Sequence, residues 1–454
     1  MDYPIWDLVE TVGGGVLVGV VSILHVVVSH FAIGGGLAIA VIETLSVRRG
    51  DAALRQLAKR SSKILILVST VFGAISGVGI WVTIGLVHPA ATSALIHTFV
   101  WVWAIEWAFF LLEVVTALAY FATWDRVSKR THLVLIWLYA FSAFMSLVVI
   151  QGILSFMLTP GRWLETRSVT DAFFNPTWLP GLVYRTGICL LLAGAYLTFA
   201  ALREKGPARD RMVRLLAAFE AAGALLAYGG YRWWEAALPE HVKSLFAGAK
   251  PLLATLHTTR SISLRALTVV LVVALAALLA PRIKSMAVAV VVLLAAFLSF
   301  GAAERLREGA RKPFIIRDTM FSNGILVSEL PSLNAAGILA KARWAALDVG
   351  PSAESRGRAV YRAECAACHT QGGYQSIRKV TGSMNADRLR AFLDESKKDG
   401  DAWHAVLERG ARPPKPRYPS SAPFVGTDAE RDALVTFLVS LQPAAGAKEP
   451  ANAR

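Results

Sequence analysis

The sequence predicts an all-α protein: a polytopic membrane helix bundle of about eight spans, followed by a small helical domain in water. Three observations carry this expectation. The 454 residues are 55% hydrophobic and 17% charged, with a mean hydropathy of +0.50, too apolar for an ordinary soluble chain. The apolar residues gather into runs long enough to cross a hydrocarbon core of about 30 Å. Beyond residue 304 those runs stop, and proline and charge interrupt the helical pattern.

In chain order the runs cover 12–45, 62–87, 97–122, 132–157, 181–202, 212–236, 258–280 and 286–303. Four connections are basic. The first holds Arg48, Arg49, Arg55, Lys59 and Arg60, and the second Arg126, Lys129 and Arg130. The third holds Arg203, Lys205, Arg209 and Arg211, and the last Arg282 and Lys284. The connections at 87–96, 157–180 and 238–256 are poorer in basic residues, so loop charge alternates. The positive-inside rule then puts the basic set in the cytoplasm. An even number of spans leaves the acidic amino-terminal segment (Asp2, Asp7, Glu10) and everything after Glu304 in the periplasm of a bacterial inner membrane. The net charge of +15 therefore reads as a topology signal and not as a nucleic-acid surface. The first run has no basic leader and is too long for a signal peptide, so it is expected to be retained. The expected organisation is a membrane bundle over 1–303, a periplasmic linker and exit segment over 304–350, a helical domain over 351–443 and a disordered tail over 444–454.

The helical domain contains Cys365-Ala366-Ala367-Cys368-His369. In a C-x-x-C-H run the two thiols form thioethers to a haem, and the adjacent imidazole becomes an axial iron ligand. A zinc site needs a second ligand pair, and the other cysteine, Cys189, lies in an apolar run where an inert core thiol is expected. The motif implies a covalent haem c bound by Cys365, Cys368 and His369, with His369 on the metal.

Ionisable side chains inside the spans are expensive in lipid and are functional candidates by default. His25 and His30 are five residues apart, about 140° around a helix, and so serve different partners. Glu43, near the cytoplasmic end of the first run, is expected to snorkel to water. Glu106 and Glu113 lie seven apart on one face, suited either to a haem-facing proton relay or to pairing between helices. His88 and His97 flank a short loop where solvation is expected. Gly34, Gly35, Gly36, Gly73, Gly77 and Gly79 permit close approach of a helix or of a flat macrocycle. Trp101, Trp103 and Trp107 suit an interfacial belt or a haem wall.

Taken in order, His25, Gly34-Gly35-Gly36, Ile42-Glu43-Thr44, Glu106, Glu113 and Trp124-Asp125-Arg126 resemble subunit I of the cytochrome bd oxidase superfamily. Glu308-Gly309-Ala310-Arg311-Lys312-Pro313-Phe314 is similar to that family's E-x-G-R-Q-P-W segment. The resemblance implies one or more b-type haems in the membrane, with a d-type haem left open. It implies His25 as the first-helix haem ligand, Glu106 and Glu113 as the catalytic carboxylates, with Glu113 also at the cofactor, and Glu308 and Arg311 beside paired high-spin haems. His30 stands as a further cofactor-binding candidate. The spacing of Glu106 and Glu113 is one residue shorter than in the family. Ala422-Pro423-Phe424-Val425-Gly426-Thr427 resembles the M-P-P-F-V-G-T segment of membrane-fused class I cytochromes c, but the methionine position falls on Ser421. The sixth ligand of haem c is then Met384, His404 or none.

The departures bear on function. Where the family carries the histidine of its quinol-facing haem, this chain has Arg185, and where it carries that haem's methionine, after an arginine aligned with Arg260, it has Ile262. Neither ligates iron. The loop at 238–256 is shorter than the family's quinol loop, the family's last helix is missing, and His257 is expected to be an interfacial, hydrogen-bonded residue. These readings predict a membrane-bound respiratory haemoprotein that moves electrons between a periplasmic haem c and b-type haems, with oxygen or another small acceptor reduced in the membrane. The alternatives are a quinol oxidase subunit with a rearranged quinol site and a non-catalytic anchor for a cytochrome c. The expected partners are the lipid bilayer and other respiratory redox subunits or periplasmic cytochromes.

Overall fold

A computed structural model describes residues 4–246, 251–347, 349–409 and 421–442. Among them are eight helices long and apolar enough to cross a membrane: α1 (Gly14–Arg49), α2 (Ala52–Val87), α3 (Val100–Ala122), α4 (Lys129–Phe156), α5 (Trp178–Ala201), α6 (Gly206–Ala237), α7 (Thr255–Leu279) and α8 (Met286–Arg311). In lipid every backbone N–H and C=O must be met within its own segment, so apolar runs of this length fold as helices. α2 starts ten residues before the apolar run at 62 and contains a π-helical stretch, Leu67–Gly73. The chain divides into two compact units, one of Ser22–Val78 with Thr98–Ala310, the other of Met1–Val21, Gly79–His97 and Arg311–Arg454.

In the first unit the turn between α1 and α2 is set by local chemistry. Gly50 takes a left-handed φ of +62°, and the Asp51 side chain caps α2 by accepting from the Ala53 and Leu54 amides at 3.0 and 3.2 Å. The four basic connections converge on one end of the bundle. Arg55 and Lys59 pair with Asp125 at 2.5 and 2.6 Å, Arg60 pairs with Glu204, Arg211 with Asp51 at 3.0 Å, and Arg209 donates to the Lys284 carbonyl at 2.6 Å. Lys59 and Arg55 pull the Asp125 carboxyl down to about 2. The alternation of loop charge thus corresponds to two distinct ends of the bundle.

α5 and α6 pack backbone to backbone at glycines. A Cβ on Gly187 would stand 2.3 Å from the Ala227 nitrogen, and one on Gly230 would stand 2.4 Å from the Tyr184 nitrogen. Without a hydrophobic force between helices in lipid, such close approach is what dispersion requires. The Gly34–Gly36 run serves the same end: a Cβ on Gly34 would meet the Cys189 carbonyl oxygen at 1.9 Å, and one on Gly36 the Tyr139 ring at 2.1 Å. Cys189 is buried in that contact, as a core thiol. Between α6 and the turn before α8, Lys284 Nζ lies 2.7 and 2.6 Å from the two oxygens of Glu220, both side chains essentially inaccessible.

In the second unit, α9 (Ala353–Glu364) crosses α11 (Asp428–Ser440) at Gly357, where a Cβ would stand 2.0 Å from the Ala433 carbonyl oxygen. Tyr361 and Phe437 meet there with ring centroids 5.4 Å apart. The segment 304–350 is not a linker. α8 continues through residue 303 to Arg311, and Phe314, Phe321, Leu330 and Leu333 enter one core with Tyr361, Leu434 and Phe437. Phe314 and Phe321 stack at 4.8 Å across a two-stranded antiparallel pair, Phe314–Ile316 with Met320–Phe321, and Phe314 meets Trp403 edge-on. Glu430 accepts from the Ile338 and Leu339 amides at 2.9 and 3.1 Å while closing a capping box with Thr427. Apolar side chains at 314–345 are what bring this segment inside. The tail at 444–454 lies outside the described residues.

Removing one member of a buried ion pair strands the other charge, at about 3–5 kcal/mol. Lys284→Met should therefore lower the thermal midpoint of the purified protein sharply, and Glu220→Leu with Lys284→Met should recover most of the loss; a double variant as unstable as the single would show that the pair is not the source.

Candidate haem sites and a buried charge chain

α9 delivers Cys365 at its carboxy-terminal cap, where the Cys365 amide donates to the Tyr361 carbonyl at 2.8 Å. The chain then turns on Cys365, whose carbonyl accepts from Cys368 at 3.1 Å and from His369 at 2.9 Å, and Tyr361 Oη fixes the His369 carbonyl at 2.6 Å. Both thiols and the imidazole are thus held within one turn. His369 Nδ1 donates to the Gln375 carbonyl at 2.9 Å, and Gln375 adopts a left-handed φ of +49° to present it. That bond places the remaining lone pair on Nε2, the nitrogen an iron requires. Burial lowers the His369 pKa, with Lys312 nearby acting in the same direction, so the ring is kept neutral and ready to ligate. The donor set fits a covalent haem.

Met384 is half-buried against the core of this unit and His404 is half-buried on α10 (Ala386–Arg409), while Ser421 is exposed. Glu364, next to the motif, is buried and accepts from the Val425 amide at 3.2 Å. Burial pushes its carboxyl well above the usual range, with Glu430 adding to the shift.

In the bundle, His25 on α1 bonds through Nδ1 to Ser76 Oγ at 3.1 Å. The Ser76 hydroxyl hydrogen is already given to the Phe72 carbonyl at 2.5 Å, so Nδ1 is the donor and Nε2 keeps its lone pair. Gly77 lies beside the ring, 3.3 Å from Cε1 for a Cβ built there, and Ile75 and Val78 are open apolar side chains on the same helix. A lone imidazole with a free Nε2 and an apolar wall fits a b-type haem.

Glu106 and Glu113 share one face of α3, as their spacing requires, and both look toward α4. Ser146 donates to Glu106 Oε1 at 2.8 Å and Tyr139 is hydrogen-bonded to Glu113. Glu308 is half-exposed and paired to Arg307 at 2.7 Å, and Arg311 is buried and reaches the Ile315 carbonyl at 3.3 Å.

Two expectations are corrected. Glu43 does not snorkel: it is 4% exposed, bound by Tyr120 Oη at 2.5 Å and by His132 Nδ1 at 2.6 Å, with His132 Nε2 on the Tyr120 carbonyl. His30 is not disposed to bind a cofactor, because both ring nitrogens are engaged. Nδ1 donates to the Val26 carbonyl at 2.6 Å, and Nε2 accepts from Arg185 at 3.2 Å. Arg185 also donates to Glu304 at 2.6 Å, Glu304 accepts from Arg307 at 3.2 Å, and a chain of four charges, Arg185–Glu304–Arg307–Glu308, runs on from His30. His97 is exposed and bonded to Ser93 of its own helix, and His257 is exposed on α7.

A polytopic apolar bundle joined to a helical domain with a C-x-x-C-H motif defines a membrane haemoprotein carrying its own c-type cytochrome. Residues 16–229 match the family model of cytochrome bd terminal oxidase subunit I, and residues 352–438 match that of cytochrome C oxidase, cbb3-type, subunit III. The chain therefore carries a cytochrome bd oxidase subunit I domain and, at its carboxy-terminal end, a cytochrome c domain of that second family. The structure of bd oxidase from Geobacillus thermodenitrificans superimposes with a TM-score of 0.59 at 17% identity, covering 67% of this chain and 88% of that chain, a likeness of fold. No curated protein matches the chain.

Two outcomes follow. Ser76→Ala removes the partner that orients His25 and should weaken retention of membrane haem by about 10–100-fold, the usual effect of deleting such a group; b-type absorbance unchanged through detergent dilution would contradict it. Glu364, with its pKa raised in the fold, holds a proton that the unfolded chain has released, so stability should fall as pH climbs from about 4.5 toward the folded value, by up to about 1.4 kcal/mol per unit. Thermal unfolding followed in the haem c band should show this slope in the native protein and a smaller one in Glu364→Gln.

Proposed function

We propose that this chain takes electrons from a periplasmic donor at its haem c and passes them to b-type haem at His25, where oxygen or another small acceptor is reduced. The observation that carries this reading is Arg185: at the position that in the bd family belongs to the quinol-side histidine, a guanidinium is locked between His30 and Glu304, while a cytochrome c domain is attached to the same chain. In the periplasmic domain, Cys365 and Cys368 would hold the haem c and His369 would offer Nε2 as a ligand. In the bundle, His25 presents Nε2 in the same manner. The haems, when bound, supply one-electron transfer and, at an open iron position, reduction of a small molecule. Glu106 and Glu113 hold and release protons at their carboxylate oxygens, against the hydroxyls of Ser146 and Tyr139. Both termini lie in the periplasm of a bacterial inner membrane in this reading, which the alternation of basic and basic-poor loops along the sequence supports.

His25→Ala in the full-length protein should abolish b-type absorption and leave the haem c band intact. The native protein should consume oxygen with a reduced c-type donor and not with quinol. Haem extraction yielding only the c type from the native protein would refute the assignment, and steady quinol-driven uptake would establish the quinol oxidase instead.

A further inference from the structure

Beyond the haem sites, the bundle contains a small chamber at the Arg185 chain, with a mostly apolar wall into which a few polar groups project. It measures about 30 Å³ and is lined by Gln151, Thr177, Tyr184, Arg185, Tyr231 and Arg307, among others. The buried polar atoms on this wall that make no hydrogen bond among the described residues include Gln151 Oε1, Tyr184 Oη and Arg307 Nη1. Gln151 is 4% exposed and Tyr184 7%. Buried polar atoms are nearly always met, by protein or by ordered water. The three groups are complementary toward one kind of guest: Arg307 only donates, Gln151 Oε1 only accepts and Tyr184 does both.

Size and charge narrow the guest. A water needs about 10–15 Å³ of such space, so the chamber holds two or three, whereas organic ligands need at least roughly 300 Å³. Arg185 and Arg307 are balanced by Glu304 and Glu308, which leaves no excess charge to hold an ion. We propose that this chamber is a binding site for two or three water molecules bridging Arg307, Tyr184 and Gln151, which solvate the Arg185–Glu304–Arg307 chain at the position where the bd family has its quinol-side haem ligand. The inference stands apart from the direction of electron flow and from the identity of the acceptor. It makes Gln151 and Tyr184 water-binding residues and excludes a macrocycle or a quinol ring from this space.

X-ray radiolysis of the full-length holoprotein in ¹⁸O-labelled water generates hydroxyl radicals at bound waters and marks the side chains beside them. Tyr184 should gain ¹⁸O several-fold faster than Tyr139 and Tyr120, which are also buried but bonded to the Ala32 carbonyl and to Glu43. Gln151→Leu should reduce labelling of Tyr184 at an unchanged haem-to-protein ratio. Tyr184 as protected as Tyr139 would overturn the proposal, and so would loss of a haem in Gln151→Leu. Should that variant fail to fold, the comparison of tyrosines in the native protein decides alone.

Discussion

A guanidinium is charged at every physiological pH, and Arg185 holds one at 3% exposure inside a membrane bundle. Much of the surrounding arrangement answers to it. His30 turns its Nε2 lone pair to Arg185, Glu304 supplies the opposite charge, and Phe300 lies against both, 4.6 Å from the His30 ring and 5.8 Å from the guanidinium carbon. Glu304 then needs Arg307, and Arg307 needs Glu308. The chain links α1, α5 and α8, so removing Arg185 would strand a carboxylate in the bundle. This cost fixes Arg185 as a structural member of the membrane core.

The histidines are sorted by what their Nδ1 and Nε2 meet. His25 and His369 each spend Nδ1 on an acceptor, Ser76 Oγ and the Gln375 carbonyl, and keep Nε2. His30 and His132 spend both nitrogens, His30 on a carbonyl and Arg185, His132 on Glu43 and the Tyr120 carbonyl. Of these four, the first pair retains a nitrogen suited to iron, one in each of the two units.

The sequence exposed what periodicity and spacing encode. The eight spans, the gathering of basic loops, the C-x-x-C-H turn and the shared face of Glu106 and Glu113 follow from hydropathy, loop charge and helix pitch, which are local properties. His132 and Lys284 were illegible for the opposite reason. Each sits near a basic connection, where a cation reads as a topology signal, and only packing reveals that one closes on Glu43 and the other on Glu220. The two glycine pairs of α5 and α6, Gly187 with Gly194 and Gly223 with Gly230, did leave a signal in their seven-residue spacing. So did Thr427-Asp428-Ala429-Glu430, whose S/T-x-x-E form marks a helix start. The segment 304–350 misled because short helices and a two-residue strand carry too little periodicity to look like core.

The intramembrane carboxylates fall into two groups by partner, and the division bears on chemistry. Glu43, Glu220, Glu235 and Glu304 are each bonded to a basic side chain: His132, Lys284, Arg260 and Arg185. Removing the charge of any of them would break its contact with a basic partner in a medium that solvates neither product. Glu106 and Glu113 form no ion pair among the described residues, and their partners are the hydroxyls of Ser146 and Tyr139. A hydroxyl can donate to a carboxylate or accept from a carboxylic acid, so Ser146 can serve Glu106 in either protonation state. Tyr139, whose hydrogen is given to the Ala32 carbonyl, accepts from a protonated Glu113 and must turn that hydrogen to meet an ionised one. These two side chains, seven residues apart on one face, are therefore carboxylates of the bundle in which a proton can come and go without breaking an ion pair. That is the property a site coupling electron arrival to proton uptake demands.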